Sequence, residues 1–524
     1  MFKKTSLPLH KFPTLSFENL KKNSRKNLMM LLTSRDFHIG VILFVVFWAA
    51  LLLIQFATPG LVGNDGYYHI KAAYILRTEG LKPDFNWLPL TILNAENYYD
   101  HHYLFHILMI PFTFGDLRIG AKLASVFFPT LAFLSIWYLL KKQKVPYTEL
   151  WSLGLLMISE AFIYRMNMPR AQSLSLLLLV WTLHVLLQKE YKWLMLLGFL
   201  YVWSYNAFPL IVIVVFLYLV AHLLTERKLV WTPLVYAVVG VVLGLVINPY
   251  FPENLLFIYR HITPKLFDMA AVPVGNEWSP YRTATLLENS GGALLIFASG
   301  IVALGLSSKK MGTATATSLF LTLTFSFMLF ESRRFIEYAP PFMLIFAAFA
   351  WQPVLEKNRQ NVQGKSKRSP VIRLAPIFVL VLFMPLVWGA IVGARKQLQE
   401  SGRPYQRYQG ASAWLMANTP EDSRVFQTDW DDFPQLFFHN HHNTYTIGLD
   451  PTYMQIYDPA LYDEWVAITR GKMDEMGKKI KTDFNSKYVV TGLTHTAFIK
   501  QAQNDVNLEL VYEDNYSMVY QVLP

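Results

Sequence analysis

One acidic side chain stands directly after a long apolar run, where lipid would meet water. It is Asp65, in the segment GNDGYYH that spans residues 63–69. A carboxylate in this position is costly to desolvate, which indicates a function. Its oxygens can bind a hard cation such as Mg²⁺ or Mn²⁺, or act as a general base. The alternative is structural, because Asn and Asp are favoured at the start of a helix. The residues alone leave both interpretations open.

A group of histidines follows in the same stretch of chain. His102 and His106, in the segment DHHYLFH, would share one face of a helix, and two imidazoles at this spacing can bind a transition metal. A pairing of Asp65 with His69 or His102 would instead give general-base chemistry. The structural alternative is a polar helix end at the membrane surface, with each imidazole satisfied by its neighbours.

Two adjacent arginines, Arg333 and Arg334, stand at the start of a late apolar run. The charge pattern described below places them on the exterior side, where positive charge beside a membrane is unusual. Guanidinium groups bind phosphate well, so the pair indicates an anionic partner such as a lipid phosphate or diphosphate. The alternatives are contact with lipid headgroups or pairing with Glu331 and Glu337.

The composition indicates a membrane protein. Of 524 residues, 53% are hydrophobic and only 16% are charged, and the charges gather in short clusters between long apolar runs. The net charge of +11 belongs mainly to these loops, so membrane topology explains it better than nucleic-acid binding does. The absence of cysteine excludes disulfides and thiolate chemistry.

The apolar runs predict a polytopic α-helical membrane protein with about eleven spans. The predicted spans cover residues 38–57, 117–140, 147–163, 171–187, 193–205, 208–224, 230–247, 291–307, 313–331, 336–352 and 371–393. Basic clusters fall in every second loop, which places the N-terminus in the cytoplasm. With an odd number of spans, the C-terminal region then lies outside.

Three regions follow from this topology. Residues 1–37 form a basic cytoplasmic leader, and residues 38–393 form a transmembrane domain with long exterior loops at 58–116 and 248–290. Loops of this length usually carry function. Residues 394–524 form a soluble exterior domain, in which alternating helix and strand patterns predict a mixed α/β fold.

Four short segments together carry a resemblance to a known family. They are NDGY at residues 64–67, RRFIEYAPP at 333–341, TDWDDF at 428–433 and GLD at 448–450. Their order and their common side of the membrane resemble the catalytic subunit of oligosaccharyltransferases, particularly the bacterial single-subunit enzymes. The third segment is similar to the Trp-Trp-Asp-Tyr-Gly signature of that family. The resemblance implies the fold of C-type (GT-C) membrane glycosyltransferases.

The resemblance also implies roles for single residues. It implies that Asp65 is a metal ligand at the catalytic centre, and that Glu277 and Glu288 are acids near the metal. Those it implies at the diphosphate of a lipid-linked donor are Arg333 and Arg334. Those it implies at the acceptor are Trp430, Asp431 and Asp432.

The sequence departs from the family pattern at two places. The second exterior loop of the family carries acids that complete the metal site, but the segment YRMNMPRAQ, residues 164–172, contains none. Arg170 and Gln172 stand where acids are expected, so this loop lacks the carboxylates that would complete a site for Mg²⁺ or Mn²⁺. Arg170 can instead replace the ion as a phosphate clamp. Because Asp429 stands in place of the first Trp of the signature, recognition of an acceptor peptide is not implied.

The function predicted from these features is transfer of a sugar or glycan from a polyprenyl-phosphate or polyprenyl-diphosphate donor. The acceptor, of unspecified class, would lie on the exterior face of a plasma (inner) membrane. One alternative is a catalytically degenerate protein of the same fold that binds lipid-linked glycans. A transporter is disfavoured, because no paired repeats and no charged residues deep in the spans are evident.

Overall fold

The protein consists of a large helical domain followed by a small α/β domain. A computed structural model describes residues 34–267, 275–363, 370–401 and 403–523. The predicted leader therefore lies outside the described residues up to residue 33.

The helical domain contains helices α1 to α15 within the described residues. In chain order they are α1 (Arg35–Gln55), α2 (Asp65–Glu79), α3 (Tyr103–Met109), α4 (Leu117–Lys142), α5 (Thr148–Leu153), α6 (Glu160–Met166), α7 (Gln172–Gln188), α8 (Trp193–Ser204), α9 (Pro209–Glu226), α10 (Thr232–Val246), α11 (Glu253–Phe267), α12 (Thr283–Leu306), α13 (Thr313–Glu331), α14 (Ala339–Gln363) and α15 (Pro370–Ser401). Short 3₁₀ helices lie at Ile110–Thr113, Gly154–Leu156, Asn276–Trp278 and Arg333–Glu337. The predicted loops 58–116 and 248–290 are thus partly helical.

Six of the described helices are long and apolar enough to cross a membrane. They are α1, α4, α9, α12, α13 and the stretch Val381–Glu400 of α15. The shorter apolar helices include α7, α8 and α10. These helices confirm the prediction of a multi-pass membrane protein, whereas the count of about eleven spans is not confirmed.

The predicted span 147–163 is not one continuous helix. It consists of α5, a 3₁₀ turn and α6, and the Ser159 hydroxyl caps α6 by accepting a 3.0 Å hydrogen bond from the N–H of Phe162. Neither helix approaches the roughly 20 residues that a span requires. The break instead brings the loop after α6 against the start of α2, where a Cβ added to Gly66 would lie 2.1 Å from Pro169.

The C-terminal domain is built on a five-stranded mixed sheet. Its strands are β1 (Arg424–Gln427), β2 (Thr444–Tyr445), β3 (Tyr488–Gly492), β4 (Leu508–Glu513) and β5 (Ser517–Val522), in the order β2-β1-β3-β5-β4. Strand β1 pairs in parallel with β2 and β3, and β5 is antiparallel to β3 and β4. The helices are α16 (Gln409–Asn418), α17 (Phe433–His439), α18 (Thr452–Tyr457), α19 (Pro459–Thr469), α20 (Met476–Thr482) and α21 (Thr496–Ala502). The predicted α/β character is confirmed.

Both faces of this sheet are covered. Phe426 and Val489 point to the face that packs against α19, α20 and α21. Val425, Val490 and Val519 point to the other face, whose apolar cluster also contains residues of α2 and of the segment that follows it. Because the two domains share this cluster, the C-terminal domain is held against the start of α2.

Candidate active site

Asp65 is the first residue of α2, and glycines on both sides shape its surroundings. Gly63 has a φ of +72°, a left-handed conformation that favours glycine, and Gly66 allows the close approach of Pro169. The N-cap residue is Asn64, whose side chain makes no capping hydrogen bond. The carboxylate of Asp65 instead forms a 2.5 Å ion pair with Nη2 of Arg170. Asp65 is therefore placed as the charge partner of Arg170 and not as a helix cap.

Arg170 bridges two carboxylates that come from distant parts of the chain. Its Nη2 pairs with Asp65, and its Nη1 donates a 3.0 Å hydrogen bond to Oε2 of Glu277. Its Nε–H is buried and has no hydrogen-bond acceptor among the described residues. A buried donor without an acceptor is costly, so an anion that reached this N–H would be stabilised by it.

Two further arginines surround Glu277. Arg165 donates to its Oε2 at 2.9 Å, and Nη1 of Arg334 lies 3.6 Å from its Oε1. Arg165 also pairs with the buried carboxylate of Glu337, at 2.7 Å from Nε to Oε1. Three guanidinium groups and three carboxylates, those of Asp65, Glu277 and Glu337, thus form one network, which we call the arginine cluster.

The ionisation of Glu277 follows from this network. Burial of its carboxyl group favours the neutral form, but the charges of Arg170, Arg334 and Arg165 outweigh burial and hold its pKa well below the ordinary value. Glu277 is therefore a permanent anion that gathers the three arginines.

The structure separates the two adjacent arginines. Arg334 donates a 3.0 Å hydrogen bond to the hydroxyl of Tyr205, and its guanidinium lies 4.9 Å from the ring centre of Trp278. Arg333 turns away and donates to the backbone carbonyls of Ser279 and Pro280, each at 3.2 Å. Of this pair, only Arg334 belongs to the arginine cluster.

Glu288 and the predicted histidine pair are placed differently from the expectation. Glu288 is exposed on α12 and has no contact with the arginine cluster among the described residues. Both ring nitrogens of His106 are occupied, since Nδ1 lies 2.7 Å from Asp100 and Nε2 lies 2.8 Å from Nδ1 of His69. His102 stacks on Tyr205 with ring centres 5.5 Å apart. His102 and His106 therefore do not form a free pair of metal ligands.

The acidic segment after β1 lies at the carboxyl ends of two parallel strands, a common location for sites in such sheets. Asp432 is fully buried, and its carboxylate accepts from Tyr408 and pairs with Arg407 at 3.0 Å. His495, which follows β3, lies 3.4 Å from Asp432 and 4.0 Å from Asp429. Asp432 thus holds the C-terminal domain together and is not open to an acceptor. Trp430 packs beside the apolar cluster on the far face of the sheet.

Replacing Asp432 with Asn is expected to destabilise the C-terminal domain by about 3–5 kcal/mol, because it leaves Arg407 buried without its counter-charge. The check is thermal unfolding combined with limited proteolysis of the full chain. Asp429→Asn is the matched control, since Asp429 is partly exposed and its change should cost about 0.5 kcal/mol or less. Equal stabilities of the two variants would contradict this role.

Asp431 connects the C-terminal domain to the start of α2. The side-chain N–H of Asn64 donates to the backbone carbonyl of Asp431, and Arg403 donates to the Asp431 carboxylate at 2.6 Å. Burial raises the pKa of Asp431 to about 6, against the charge of Arg403 and with a further rise from Asp65. Asp431 is the member of the acidic segment that lies beside Asp65.

This raised pKa predicts a pH-dependent stability. Between about pH 4, where a free Asp titrates, and pH 6, the folded state binds more protons at Asp431 than the unfolded state does. The contribution of Asp431 to stability therefore falls as pH rises through this window. Asp431→Asn, which mimics the protonated form, should gain stability relative to the wild type between pH 4 and pH 7. Melting curves at several pH values check this, and a constant difference would contradict it.

Among the described residues, two places could be considered for a divalent cation. Between Asp65 and Glu277 the position is taken by the guanidinium of Arg170, with two more arginines nearby. Oxygens of Asp429 and Asp432 and a nitrogen of His495 lie within 4.8 Å of one another, but Asp432 is already paired with Arg407 and Arg403. The first donor set does not fit a resident cation, because arginine charge balances it, and in the second set the buried Asp432 is already paired with arginines.

Sequence reasoning missed several members of the site. Arg165 and Tyr205 were not singled out, and Glu337 was considered only as a neutralising partner of the adjacent arginines. Arg165 lies in the same predicted loop as Arg170, so a second arginine near the missing acids was an available signal. His495 could have been found as a polar residue just after β3. Tyr205, at the end of α8, carries no such signal.

Comparison with known proteins places the fold. No protein-family model and no curated protein matches the sequence. The Archaeoglobus fulgidus oligosaccharyltransferase in its apo form is similar in structure with a TM-score of 0.64, at 13% identity over 92% of this chain and 74% of that chain. ArnT from Cupriavidus metallidurans, bound to undecaprenyl phosphate, is similar with a TM-score of 0.54, at 15% identity over 92% of this chain and 97% of that chain. The mycobacterial arabinofuranosyltransferase AftD is similar with a TM-score of 0.53, at 12% identity over 92% of this chain and 41% of that chain. The chain therefore has the GT-C fold of these glycosyltransferases, as the sequence resemblance implied.

Proposed function

We propose that this protein is a glycosyltransferase that moves a sugar or glycan from a polyprenyl-phosphate or polyprenyl-diphosphate donor to an acceptor. The observation that carries the proposal is the convergence of Arg165, Arg170 and Arg334 beside Asp65. Guanidinium groups bind phosphate through paired, charge-assisted hydrogen bonds. ArnT, which has a similar fold, was solved with undecaprenyl phosphate bound. A phosphate attached to a membrane lipid therefore suits this cluster.

Donor binding exchanges the partner of Arg170. The phosphate carries at least as much negative charge as the Asp65 carboxylate, and the unused Nε–H of Arg170 offers it an additional donor. Asp65 is then free to accept a hydrogen bond from a polar group of the acceptor next to its nucleophile, which orients the nucleophile toward the anomeric carbon. The bond from sugar to phosphate oxygen breaks as the new bond forms on the opposite face, which inverts the anomeric configuration. Arg170 and Arg334 stabilise the charge that develops on the departing phosphate.

Arg170 also takes over the work of a divalent cation in this proposal. Its guanidinium joins the carboxylates of Asp65 and Glu277, as a metal ion would, and it supplies positive charge at the phosphate. A second cation in the same place would be repelled by three arginines. Transfer therefore proceeds without added Mg²⁺ or Mn²⁺.

The charge pattern of the loops supports an orientation for this reaction. With basic clusters in the cytoplasm, the arginine cluster and the C-terminal domain lie on the extracytoplasmic side of the plasma (inner) membrane. The acceptor approaches between Asp431 and the start of α2, where the two domains meet.

The test is a donor-consumption assay that does not require a known acceptor. The purified full-length protein is added to membranes of its source cells from which the gene has been deleted, and mass spectrometry follows glycosylated and free polyprenyl phosphates. We expect conversion of the glycosylated to the free lipid, unchanged in EDTA. Loss of activity in EDTA that Mn²⁺ restores would overturn the metal-free mechanism. Binding of undecaprenyl phosphate without any donor consumption would favour a degenerate binding protein.

A further inference from the structure

A buried chain of three polar side chains ends close to Asp65. Oδ2 of Asp100 lies 2.7 Å from Nδ1 of His106, and Nε2 of His106 lies 2.8 Å from Nδ1 of His69. All three side chains are less than 5% exposed. Oδ1 of Asp100 accepts a 3.0 Å hydrogen bond from the backbone N–H of His102, which fixes the orientation of the carboxylate. We call Asp100, His106 and His69 the relay.

The relay determines which nitrogen of His69 carries a proton. The Asp100 carboxylate can only accept, so Nδ1 of His106 is the donor and its Nε2 is an acceptor in the neutral ring. Nδ1 of His69 must then donate to that acceptor, which leaves Nε2 of His69 with a free lone pair. Within the described residues nothing donates a hydrogen bond to this Nε2. An imidazole whose tautomer is fixed in this way by a carboxylate is arranged as a general base.

His69 also borders the arginine cluster. It follows Asp65 by one helical turn on α2, so the two side chains share a face with Cβ atoms about 5–6 Å apart. Its ring meets that of His102 edge-on with centres 4.8 Å apart. His102 stacks on Tyr205, which is hydrogen-bonded to Arg334. The contacts from Asp65 through Arg170, Glu277 and Arg334, and back through Tyr205 and His102 to His69, therefore form one continuous set.

We propose that the acceptor is a hydroxyl compound whose proton passes to Nε2 of His69 during transfer. This inference rests on the proposed function and adds the proton acceptor to it. The acceptor oxygen forms a bond to the anomeric carbon, the bond from that carbon to the phosphate oxygen breaks, and the hydroxyl proton moves to Nε2. The phosphate leaves as an anion and needs no proton. Asp100 and His106 are positioning residues that stabilise the imidazolium.

Donor binding makes His69 a better base. In the free protein, burial together with the neighbouring His106, Arg170 and His101 lowers the pKa of His69 well below its ordinary value. A bound phosphate adds negative charge beside Arg170, so the affinity of Nε2 for a proton rises when the donor is in place. The titratable and charged groups that face His69 are Asp65 on the same face of α2, Tyr68, His101, His102, His106, Arg170 and, behind His106, Asp100. Proton transfer is thereby coupled to occupation of the donor site.

The experiment compares His69→Ala with the wild type in the donor-consumption assay described above. We expect kcat to fall about 10²–10⁴-fold, the range for loss of a general base, while the Kd for undecaprenyl phosphate stays within about threefold. Added imidazole should restore at least part of the rate, because a small base can occupy the space left by the ring. His222→Ala is the matched control, since His222 is also buried but bonds to the backbone carbonyl of Lys228 at 2.7 Å, away from the site.

Asp100→Asn separates positioning from packing. Removal of the charge behind His106 destabilises the imidazolium, so the acid limb of the pH–rate profile should move to lower pH while the plateau rate falls about tenfold or more. If the wild type consumes donor and His69→Ala consumes it equally fast, the inference is overturned and the proposed function stands. A reduced rate in His69→Ala without imidazole rescue, combined with an unshifted profile in Asp100→Asn, would also overturn it. A wild-type protein that consumes no donor would overturn the proposed function itself.

Discussion

Asp65→Asn is expected to reduce donor consumption by about 10²-fold while tightening the binding of undecaprenyl phosphate. The amide has the shape of the carboxylate but no charge, so it orients the nucleophile poorly. It also stops competing with the phosphate for Arg170, which the carboxylate holds at 2.5 Å in the free protein. A loss of rate with a gain in affinity is a combination that general misfolding does not produce.

The measurement for this variant pairs the donor-consumption assay with binding of undecaprenyl phosphate to the protein in nanodiscs. Asp84→Asn is the control, because Asp84 is exposed in the same predicted loop and lies outside the arginine cluster. It should behave as the wild type in both assays. Full activity of Asp65→Asn, or loss of its phosphate binding, would contradict the assigned role of the carboxylate.

Arg334→Ala and Arg333→Ala are expected to differ by about threefold or more in phosphate affinity although the residues are neighbours. A charge-assisted hydrogen bond to a guanidinium contributes about 1.5–3 kcal/mol, which corresponds to a loss of about 10- to 150-fold in Arg334→Ala. Arg333 is bound to two backbone carbonyls outside the cluster, so its removal should change affinity by less than about threefold.

Titration of both variants with undecaprenyl phosphate and with inorganic diphosphate checks this contrast. If the arginine cluster recognises phosphate itself, Arg334→Ala should weaken the binding of both ligands in parallel. A similar loss in the two variants would mean that the arginines act through surface charge alone. A larger loss in Arg333→Ala would place the phosphate outside the arginine cluster.

The sequence predicted the fold class and the α/β character of the C-terminal domain because hydropathy and alternation are local patterns. It did not predict that residues 147–163 are broken into α5 and α6, since an apolar run has the same composition whether it is continuous or interrupted. The number of spans remains a prediction for the same reason: several apolar helices are shorter than a span requires.

The candidate site was predicted in part. Asp65, Glu277, Arg170 and Arg334 were all named from the sequence, and the structure brings them together. Their pairing could not be predicted, because it depends on contacts between loops that are far apart in the chain, such as the hydrogen bond from Arg170 to Glu277. Residue type and spacing likewise did not separate the cluster member Arg334 from its neighbour.

The histidines show a different limit. The spacing of His102 and His106 predicted a shared helical face and a possible metal pair, but α3 begins only at Tyr103, and His106 turns toward Asp100 and His69. Periodicity indicates which side chains can face one direction. It does not reveal which partner from another element fills that direction, so the relay became visible only in three dimensions.

The most direct test of the account is a structure of the full-length protein with undecaprenyl phosphate bound. We expect the phosphate to contact the guanidinium groups of Arg170 and Arg334, with Asp65 released from Arg170 and no metal ion between Asp65 and Glu277. A phosphate bound elsewhere while the 2.5 Å pair of Asp65 and Arg170 stays intact would contradict the central claim.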